Sequence, residues 1–571
     1  MHIILIALNC RYSHSCPALF YVRNELEKHL SCRTTIKQFT INDPYYETFL
    51  QLSDNDASYL LFSVYIWNAD YVERLVTDLY IIRPKLKVIL GGPQAPAMKN
   101  LPESCSVIQG EIEGAPKQFY TDLRQKKPAR KYRAVSGQRF FSPYRDDDFR
   151  FALKDRNIYY ESSRGCPFAC AYCLSSTSRG IFTIGLDQVR EELGLIVAHR
   201  PKLLKFVDRT FNAEPNRTLA IWRYLAGLAG ETMFHFEIAP DLFNEEMFAF
   251  LADLPPGKFQ FEIGIQSTNP ETLAAVNRKM DLELAERNVK RLSSMDNIHL
   301  HLDLILGLPF ETKKSFSQSV NFVFGLRPHY VQMGLLKVLP DTPMSIDRAG
   351  NGLVHCHKPP YQVTETKWLP HRELSHLYWL GECVESFYNN RYFRSFFNYV
   401  RKTETDFFHF FEKLLLFCQK KDFSQRAKTQ QFLNGLLVEF IYSGSSHQKD
   451  MEGDFLRELL IFDWLSCGHR QLPDELHAGS LTIFRNTAWQ NMPENAPGLY
   501  NYQDHNEFFK KGVFFRFSAL VLDEIEVAGS KGMGGYVCFL PQSATGIFNR
   551  FKALYLGGYS TALGESPGLI G

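Results

Sequence analysis

Several features that would narrow the function are missing from this sequence. The 571 residues include 64 basic and 62 acidic side chains, so no field of one sign favours nucleic acid or an acidic partner. No stretch approaches the ~20 apolar residues that a membrane-spanning helix needs. The apolar start, Met1–Asn9, lacks the basic beginning and the cleavage site of a signal peptide. These absences predict a cytoplasmic protein without a membrane segment, and they give no clear signal of nucleic-acid binding.

Cysteine is also scarce, with 12 in the whole chain, far below the content of a disulfide-stapled fold. Most of these cysteines show no paired spacing, and a reducing compartment is the simplest setting for them. The exception is the run 164–173, Arg-Gly-Cys-Pro-Phe-Ala-Cys-Ala-Tyr-Cys, which holds Cys166, Cys170 and Cys173. This cluster is the most informative feature of the chain.

The spacing of these three cysteines favours an iron–sulfur site with one open position. Iron–sulfur clusters are normally held by four cysteine thiolates. Three thiolates on one loop can hold three irons of a four-iron cube and leave the fourth iron free for another ligand. A structural zinc site would require a fourth Cys or His. The nearest downstream candidate, His199, lies in a helical pattern without partner spacing.

The loop resembles the CxxxCxφC motif of radical S-adenosylmethionine (SAM) enzymes, with Tyr172 as the aromatic position. The resemblance implies a [4Fe–4S] cluster on Cys166, Cys170 and Cys173 and a SAM molecule that chelates the open iron. It further implies that an electron from the cluster cleaves SAM to methionine and a 5′-deoxyadenosyl radical.

Residues 1–130 alternate strand-like and helical runs and predict five βα units, a doubly wound parallel sheet. Ligands of such sheets bind beyond the carboxyl ends of the strands. Ahead of a radical SAM loop, the domain resembles the Rossmann-like cobalamin-binding domain of cobalamin-dependent radical SAM proteins. The resemblance implies that the ligand-facing residues are Ser63, Tyr65, Gly91, Gly92 and Glu111.

One part of the usual cobalamin pattern is absent. No Asp-x-His-x-x-Gly run is found, and His14 lies in a different context, Tyr-Ser-His-Ser. The expectation is therefore cobalamin without a histidine on cobalt. The alternative is a degenerate domain that only packs against the rest of the protein.

After a linker over 131–154, residues 155–345 predict six strands in βα alternation, a partial (β/α)6 barrel. Resemblance to radical SAM strand motifs implies SAM contacts for Asp208 at the amino group, Glu262 and Gln266 at the ribose, and Gly307 at the adenine. For Asp208 the alternative is a cap on the helix near Pro215. For Glu262 it is a structural salt bridge, because buried acids rarely stay unpaired.

Residues 346–571 predict a mainly α-helical C-terminal domain that resembles the extension of a largely uncharacterised branch of these proteins. The whole chain is thus expected to be an α/β enzyme of three domains. The implied activity is methylation of an unactivated carbon. The radical removes a hydrogen atom from that carbon, methylcobalamin supplies the methyl group, and a second SAM remethylates cob(I)alamin.

Two other functions stay open. One is a cobalamin-associated rearrangement or ring closure without methyl transfer, and the other is a non-catalytic cobalamin or redox sensor. The expected partners are a small-molecule or peptide substrate and an electron donor such as flavodoxin or ferredoxin. The sequence identifies neither the substrate nor a catalytic residue beyond the cofactor sites.

Overall fold

The computed structural model describes residues 1–177, 180–443, 447–476, 505–546 and 549–557. The chain divides into two compact units. The first unit comprises 1–319, 326–328 and 333–375, and the second comprises 320–325, 329–332 and 376–571.

The first unit begins with a six-stranded parallel sheet in the order β2-β1-β3-β4-β5-β6. Its elements are β1 His2–Asn9, α1 Pro17–His29, β2 Arg33–Thr40, α2 Tyr45–Ser53, β3 Tyr59–Ser63, α3 Ala69–Ile82, β4 Lys87–Gly91, β5 Ser106–Gln109, α4 Lys117–Arg124 and β6 Lys131–Arg133. Strands β1 and β3 are buried along almost their whole length, as in sheets with helices on both faces. The order reverses between β1 and β3, which places the ligand-binding crevice there.

The stretch 131–154, predicted as a linker, is ordered. Strand β6 pairs with β5 through Val107 and Lys131, and the short helix α5 spans Asp146–Arg150. A buried ion pair of 2.5 Å joins Arg23 of α1 to Asp148 of α5. The first sheet thus continues past residue 130, because the edge of β5 is completed by the next short strand.

The second sheet also has six strands, in the order β14-β13-β12-β11-β10-β7. Its elements and those beside it are β7 Ile158–Tyr160, β8 Ser163–Arg164, β9 Phe182–Thr183, α6 Leu186–Ala198, β10 Leu203–Phe206, α7 Pro215–Gly227, β11 Met233–Ile238, α8 Glu245–Ala252, β12 Phe259–Gln266, α9 Pro270–Ala275, α10 Leu282–Met295, β13 His299–Leu306, α11 Lys313–Gly325 and β14 Tyr330–Leu335. The order follows the chain, as the predicted partial barrel requires. Burial alternates along β12 and β13, so one face of each strand packs under the helices and the other faces the barrel interior.

The first unit ends with α12 Pro343–Ile346, β15 Val354–His355 and β16 Val363–Glu365, and α13 His371–Val384 begins in it. The second unit has helices and one antiparallel sheet. Its elements are α14 Arg394–Thr403, α15 Phe407–Gln419, α16 Gln430–Tyr442, α17 His447–Ser466, α18 His505–Lys511, β17 Val513–Phe517, α19 Ala519–Ile525, β18 Gly535–Gly546 and β19 Asn549–Tyr555. Stacked rings such as Phe324 on Phe407, 5.0 Å apart, form its core.

Within this part of the chain, which was predicted as mainly α-helical, β17, β18 and β19 form an antiparallel sheet, and helix α19 follows β17 directly. Ser518 accepts a hydrogen bond from the Val521 N–H and thereby starts a helix directly after β17. Across the described helices, none combines the length and apolar character that crossing a bilayer requires.

Candidate active site

The three motif cysteines lie on one loop between β8 and β9. Gly165, directly before Cys166, has φ +97°, and a side chain at this position would collide with the Gly180 carbonyl. Only glycine accommodates both the close approach and the left-handed conformation. The loop is further fixed by the Cys173 N–H on the Cys170 carbonyl (3.0 Å) and the Ala171 N–H on the Val276 carbonyl (2.9 Å).

Polar side chains surround the thiols. Thr210 Oγ1 lies 3.4 Å from Cys166 Sγ. Arg278 Nη1 lies 3.8 Å from Cys170 Sγ and 3.4 Å from the Tyr172 hydroxyl, while its other terminal nitrogen donates to the Gly264 carbonyl. Burial, with only partial compensation by Arg278, raises the pKa of Tyr172, so this ring stays neutral. Arg278 therefore places a positive charge beside a sulfur that would bind iron.

Arg164, two residues before the first cysteine, lies among three carboxylates. Its guanidinium contacts Glu161 at 2.8 Å, Glu113 at 3.0 Å and Glu111 at 3.1 Å. It also lies 4.1 Å from the centroid of the Phe140 ring. Glu111 and Glu113 follow β5 at the carboxyl edge of the first sheet, so Arg164 joins this edge to the cysteine loop.

Glu111 is thus engaged by Arg164, and its predicted role toward cobalamin stays a prediction. Burial and the neighbouring carboxylates raise the pKa of Glu111 in spite of the arginine. One guanidinium among three acids leaves an excess of negative charge next to the cysteine loop.

Asp208, at the end of β10, is buried and bonded to the strand that leads into the loop. Its carboxylate accepts hydrogen bonds from the Ser162 N–H (2.9 Å), the Ser162 hydroxyl (2.6 Å) and the Ser163 hydroxyl (2.7 Å). Burial raises its pKa despite these bonds. The alternative cap on the helix near Pro215 is not formed, since α7 begins after Glu214 without a side-chain cap. The predicted SAM contact of Asp208 stays a prediction.

The barrel interior carries a row of titratable side chains on adjacent strands. Parallel pairing aligns Glu237 of β11, Glu262 of β12 and His301 of β13. His235 Nε2 lies 3.0 Å from Glu262, and His301 Nε2 lies 3.2 Å from Asp303. Glu262 therefore forms the structural pair that was its alternative role, with His235 as the partner. Its predicted contact with the SAM ribose stays a prediction.

Burial and mutual repulsion set the protonation of this row. Burial disfavours the charged form of Glu262, but the hydrogen bond from His235 and the charges of His301 and Lys205 hold its pKa below the usual range. Burial raises the pKa of Glu237 to about 7. Burial also raises the pKa of Asp303 and lowers that of His301 to about 4. Such opposed shifts among neighbouring side chains are typical of binding and catalytic sites.

Gln266 and Gly307 end the strands that carry this row. Gln266 has φ +69° at a β-bulge, and its buried Oε1 accepts no hydrogen bond from the part of the chain that the structure describes. Gly307 has φ +87°, a conformation that favours glycine. Both positions lie at carboxyl ends of barrel strands, where ligands of such barrels bind. Their SAM contacts stay predictions.

The carboxyl edge of the first sheet presents aromatic rings. Trp67, 43% exposed, stacks on Tyr65 with centroids 4.4 Å apart, and Tyr12 is 61% exposed. These residues follow β3 and β1, on the two sides of the topological switch point, and they suit a large flat ligand such as a corrin ring. The glycine at position 92 has a steric explanation, because a side chain there would meet the Val64 carbonyl at 2.6 Å.

The switch point adjoins the start of the barrel. The Ser15 hydroxyl donates to the Asn157 carbonyl (2.7 Å), and the Asn157 N–H donates to the Ser13 carbonyl (2.6 Å). Arg156 donates to the His14 carbonyl at 2.8 Å. The carboxyl edge of the first sheet and the barrel that carries the cysteine loop are thus joined both here and at Arg164.

The donor set fits an iron–sulfur cube better than a single ion. Over the described ranges, no three His, Cys, Asp or Glu side chains converge on one metal position. In a cube each thiolate binds its own iron, so the ligands need no common point. Cys166, Cys170 and Cys173 on one loop, with Arg278 beside them, fit three of the four irons.

Family models match two parts of the chain. Residues 160–323 match the radical SAM superfamily, and residues 351–523 match a family described as protein of unknown function, DUF4080. The first match covers the cysteine loop and most of the barrel. The second covers most of the helices that follow it.

Curated relatives match at low identity. The 2-(S-pantetheinyl)-carbapenam-3-carboxylate methyltransferase of Streptantibioticus cattleyicolor is 25% identical over 63% of this chain and 61% of its own length. The cobalamin-dependent radical SAM methyltransferase TokK of Streptomyces tokunonensis is 26% identical over 51% of this chain and 49% of its own. The chain therefore spans about half to three-fifths of these relatives.

Among solved structures, the cobalamin-dependent SAM radical enzyme OxsB with aqua-cobalamin and SAM bound matches with a TM-score of 0.56. The match covers 80% of this chain and 75% of OxsB at 13% identity, which is a likeness of fold.

The cysteine loop and most of the barrel that carries it lie in the segment that matches the radical SAM superfamily. Within it, the matches confirm the predicted resemblance to the cobalamin-dependent radical SAM family. The predicted α/β fold class, with its Rossmann-like first domain, partial barrel and helical C-terminal part, is likewise confirmed.

Several residues of the site were outside the sequence prediction. Arg278 follows α9 in an ordinary polar stretch, and nothing in its neighbourhood signals a contact with Cys170. His301 and Asp303 did carry a signal, because polar residues alternate with leucines along β13. That alternation distinguishes a strand with a polar interior face from one buried on both faces.

Proposed function

We propose that this chain is a cobalamin-dependent radical SAM methyltransferase that acts on an unactivated carbon of a small-molecule or peptide substrate. The observation that carries the proposal is the Arg164 contact set. It joins the loop of the cluster cysteines to Glu111 and Glu113, at the edge of the first sheet where cobalamin would bind. Two curated relatives are named methyltransferases, which supports methyl transfer as the reaction.

When bound, the cluster with SAM supplies a 5′-deoxyadenosyl radical and cobalamin supplies a transferable methyl group. The residues of the chain hold and orient these groups. Cys166, Cys170 and Cys173 would bind three irons, while Arg278 balances negative charge beside them. Tyr12 and Trp67 offer ring faces at the switch point, which suit a flat macrocycle.

The barrel interior would orient SAM and the substrate. Glu262, whose pKa is low, accepts hydrogen bonds. Asp303, whose pKa burial raises, and Glu237, with a pKa of about 7, can also donate one near neutral pH. A small electron-transfer protein such as flavodoxin or ferredoxin would supply the electron.

The test uses anaerobically reconstituted full-length protein with hydroxocobalamin, a strong reductant and SAM that carries a deuterated methyl group. We expect 5′-deoxyadenosine and labelled methyl on the corrinoid, both measured by mass spectrometry. The matched control is the triple variant Cys166→Ala, Cys170→Ala, Cys173→Ala, which should retain cobalamin and form no 5′-deoxyadenosine.

Two outcomes would change the proposal. 5′-Deoxyadenosine without label on the corrinoid would favour a rearrangement or ring closure. Absence of both products in protein with a full iron complement would remove the enzymatic function.

A further inference from the structure

A cavity of about 380 Å³ lies within the second unit, and no residue assigned to the cofactors lines it. Its wall comes from residues just before and in the first part of α14, the end of α17, Ile525 of α19 and the middle of β19. A volume in this range is typical of sites for small molecules.

The wall is rich in positive charge. It includes Arg391, Arg394 and Lys552, against the single carboxylate of Asp463. The formal balance of these lining groups is therefore three positive charges and one negative charge. Neutral polar groups complete the wall, among them Ser395 and Asn398.

Asp463 is engaged by the backbone at the start of α14. Its two oxygens accept hydrogen bonds from the Ser395 N–H (2.9 Å) and the Phe396 N–H (3.1 Å) at the start of α14. It is 4% exposed, and burial raises its pKa to about 6. The carboxylate thus stabilises the helix start.

His329 lies close to the same positive charges. Burial together with the charges of Arg391, Arg394 and Arg401 lowers the pKa of His329 to about 3. Arg391 Nη1 also donates to the His329 carbonyl at 3.2 Å. A neutral histidine beside these guanidinium groups adds no further positive charge.

We infer that this cavity binds a small phosphate-bearing molecule. A phosphomonoester carries a charge of about −1.5 to −2 at neutral pH, which balances the lining groups. The planar guanidinium groups present paired N–H donors that match phosphate oxygens, and Lys552 adds a point charge. A cavity of this size suits a metabolite better than a nucleic-acid chain, which needs an extended groove. This inference is independent of the proposed function, since none of the cofactor residues lines the cavity.

Calorimetric titration of the full-length protein with inorganic pyrophosphate and with inorganic phosphate tests the inference. We expect one saturable site. Arg394→Gln and Lys552→Gln should each weaken it about 10- to 150-fold, as expected for the loss of a hydrogen bond to a charged group. Lys402→Gln, which removes the same charge from an exposed position of α14, should leave the affinity within about twofold.

Lys552 is exposed, so its variant decides the question even if Arg394→Gln fails to fold. Three results would overturn the inference. The first is that neither phosphate probe shows saturable binding, and the second is that wild type and both cavity variants bind the probes equally. The third is that citrate or a short single-stranded RNA binds more tightly than pyrophosphate in a manner that depends on Arg394.

Discussion

The Arg164 guanidinium donates a hydrogen bond to Glu113 at 3.0 Å, and this bond connects the cluster loop with the first sheet. Glu161 and Glu111 complete the carboxylate set around it. Arg164 is 12% exposed in its side chain and Glu113 is 9% exposed, so the interaction is shielded from water and from salt. A mutation here should affect the loop and the sheet edge together.

We expect Arg164→Gln to destabilise the protein by about 3–5 kcal/mol, because it leaves three clustered carboxylates without their cation. Denaturant unfolding of the apo protein measures this effect. Iron retention after reconstitution should fall in parallel, since the loop begins two residues later. Arg190→Gln, which breaks an exposed pair with Asp187, should change stability by less than about 1 kcal/mol. Equal effects of the two substitutions would contradict a special role for Arg164.

The sequence predicted the architecture of the first unit well, because its signals are local. Buried apolar runs such as 3–8 mark parallel strands, and prolines such as Pro17 and Pro215 mark helix starts that the structure confirms. Strand β6, only three residues long, carried no such pattern and was placed in a linker. Its formation depends on pairing with β5, a contact between distant residues.

The site was predictable only where a motif concentrates chemistry in one segment. The cysteine loop is such a segment. Arg278, by contrast, reaches Cys170 from 108 residues away, and its role depends on how β12 and α9 pack. The bonds from Ser162 and Ser163 to Asp208 also follow from tertiary structure and not from spacing.

Asp208→Asn separates two roles of that carboxylate. The amide can still accept a hydrogen bond from the Ser162 N–H and donate to a serine hydroxyl, so the loop and the cluster should persist. If Asp208 also binds the SAM ammonium group, loss of its charge should weaken SAM binding about 10- to 150-fold. Equilibrium dialysis with SAM, together with iron analysis, measures both properties.

Asp208→Ala is the companion variant. It removes all three acceptor interactions of this side chain, so both iron content and SAM affinity should fall. An unchanged SAM affinity in Asp208→Asn, with losses only in Asp208→Ala, would limit Asp208 to positioning the loop.

Glu237 should make the stability of the apo protein depend on pH. Burial raises its pKa in the folded state to about 7, with Glu262 and Asp208 adding to the shift and Arg209 and Lys205 opposing it. The folded state therefore holds this proton more tightly than the unfolded state. The resulting stabilisation is complete below the unfolded pKa of about 4.5 and is lost as pH rises through about 7, on the order of 3 kcal/mol in total.

Denaturant unfolding of wild type and Glu237→Gln at pH 5 and pH 8 checks this sign. The free energy of unfolding of Glu237→Gln minus that of wild type should be larger at pH 8 than at pH 5. Glu286→Gln, at an exposed helix position beside Lys290, is the control and should shift stability equally at both pH values. A larger relative gain at pH 5 for Glu237→Gln would show that the carboxyl is not held protonated.

Cobalamin, if bound at the switch point, should have no histidine on cobalt. The motif that would supply one is absent, and the histidine of the loop after β1, His14, lies beside the Tyr159 ring at 6.4 Å. Burial and the charges of Lys205 and Arg11 lower the pKa of His14. We expect the protein to retain about one equivalent of hydroxocobalamin after desalting. The electron spin resonance spectrum of the cob(II) form should lack nitrogen splitting from an axial imidazole.

His14→Ala distinguishes the possibilities for the lower face of cobalt. The variant should retain cobalamin and give the same spectrum as wild type, because water or no ligand occupies that face in both. An open lower face favours departure of a methyl group, since the four-coordinate cob(I) state left behind needs no axial ligand. Nitrogen splitting that is present in wild type and lost in His14→Ala would show that His14 is a ligand. Failure of wild type to retain any cobalamin would instead leave a radical SAM enzyme whose first domain serves only packing.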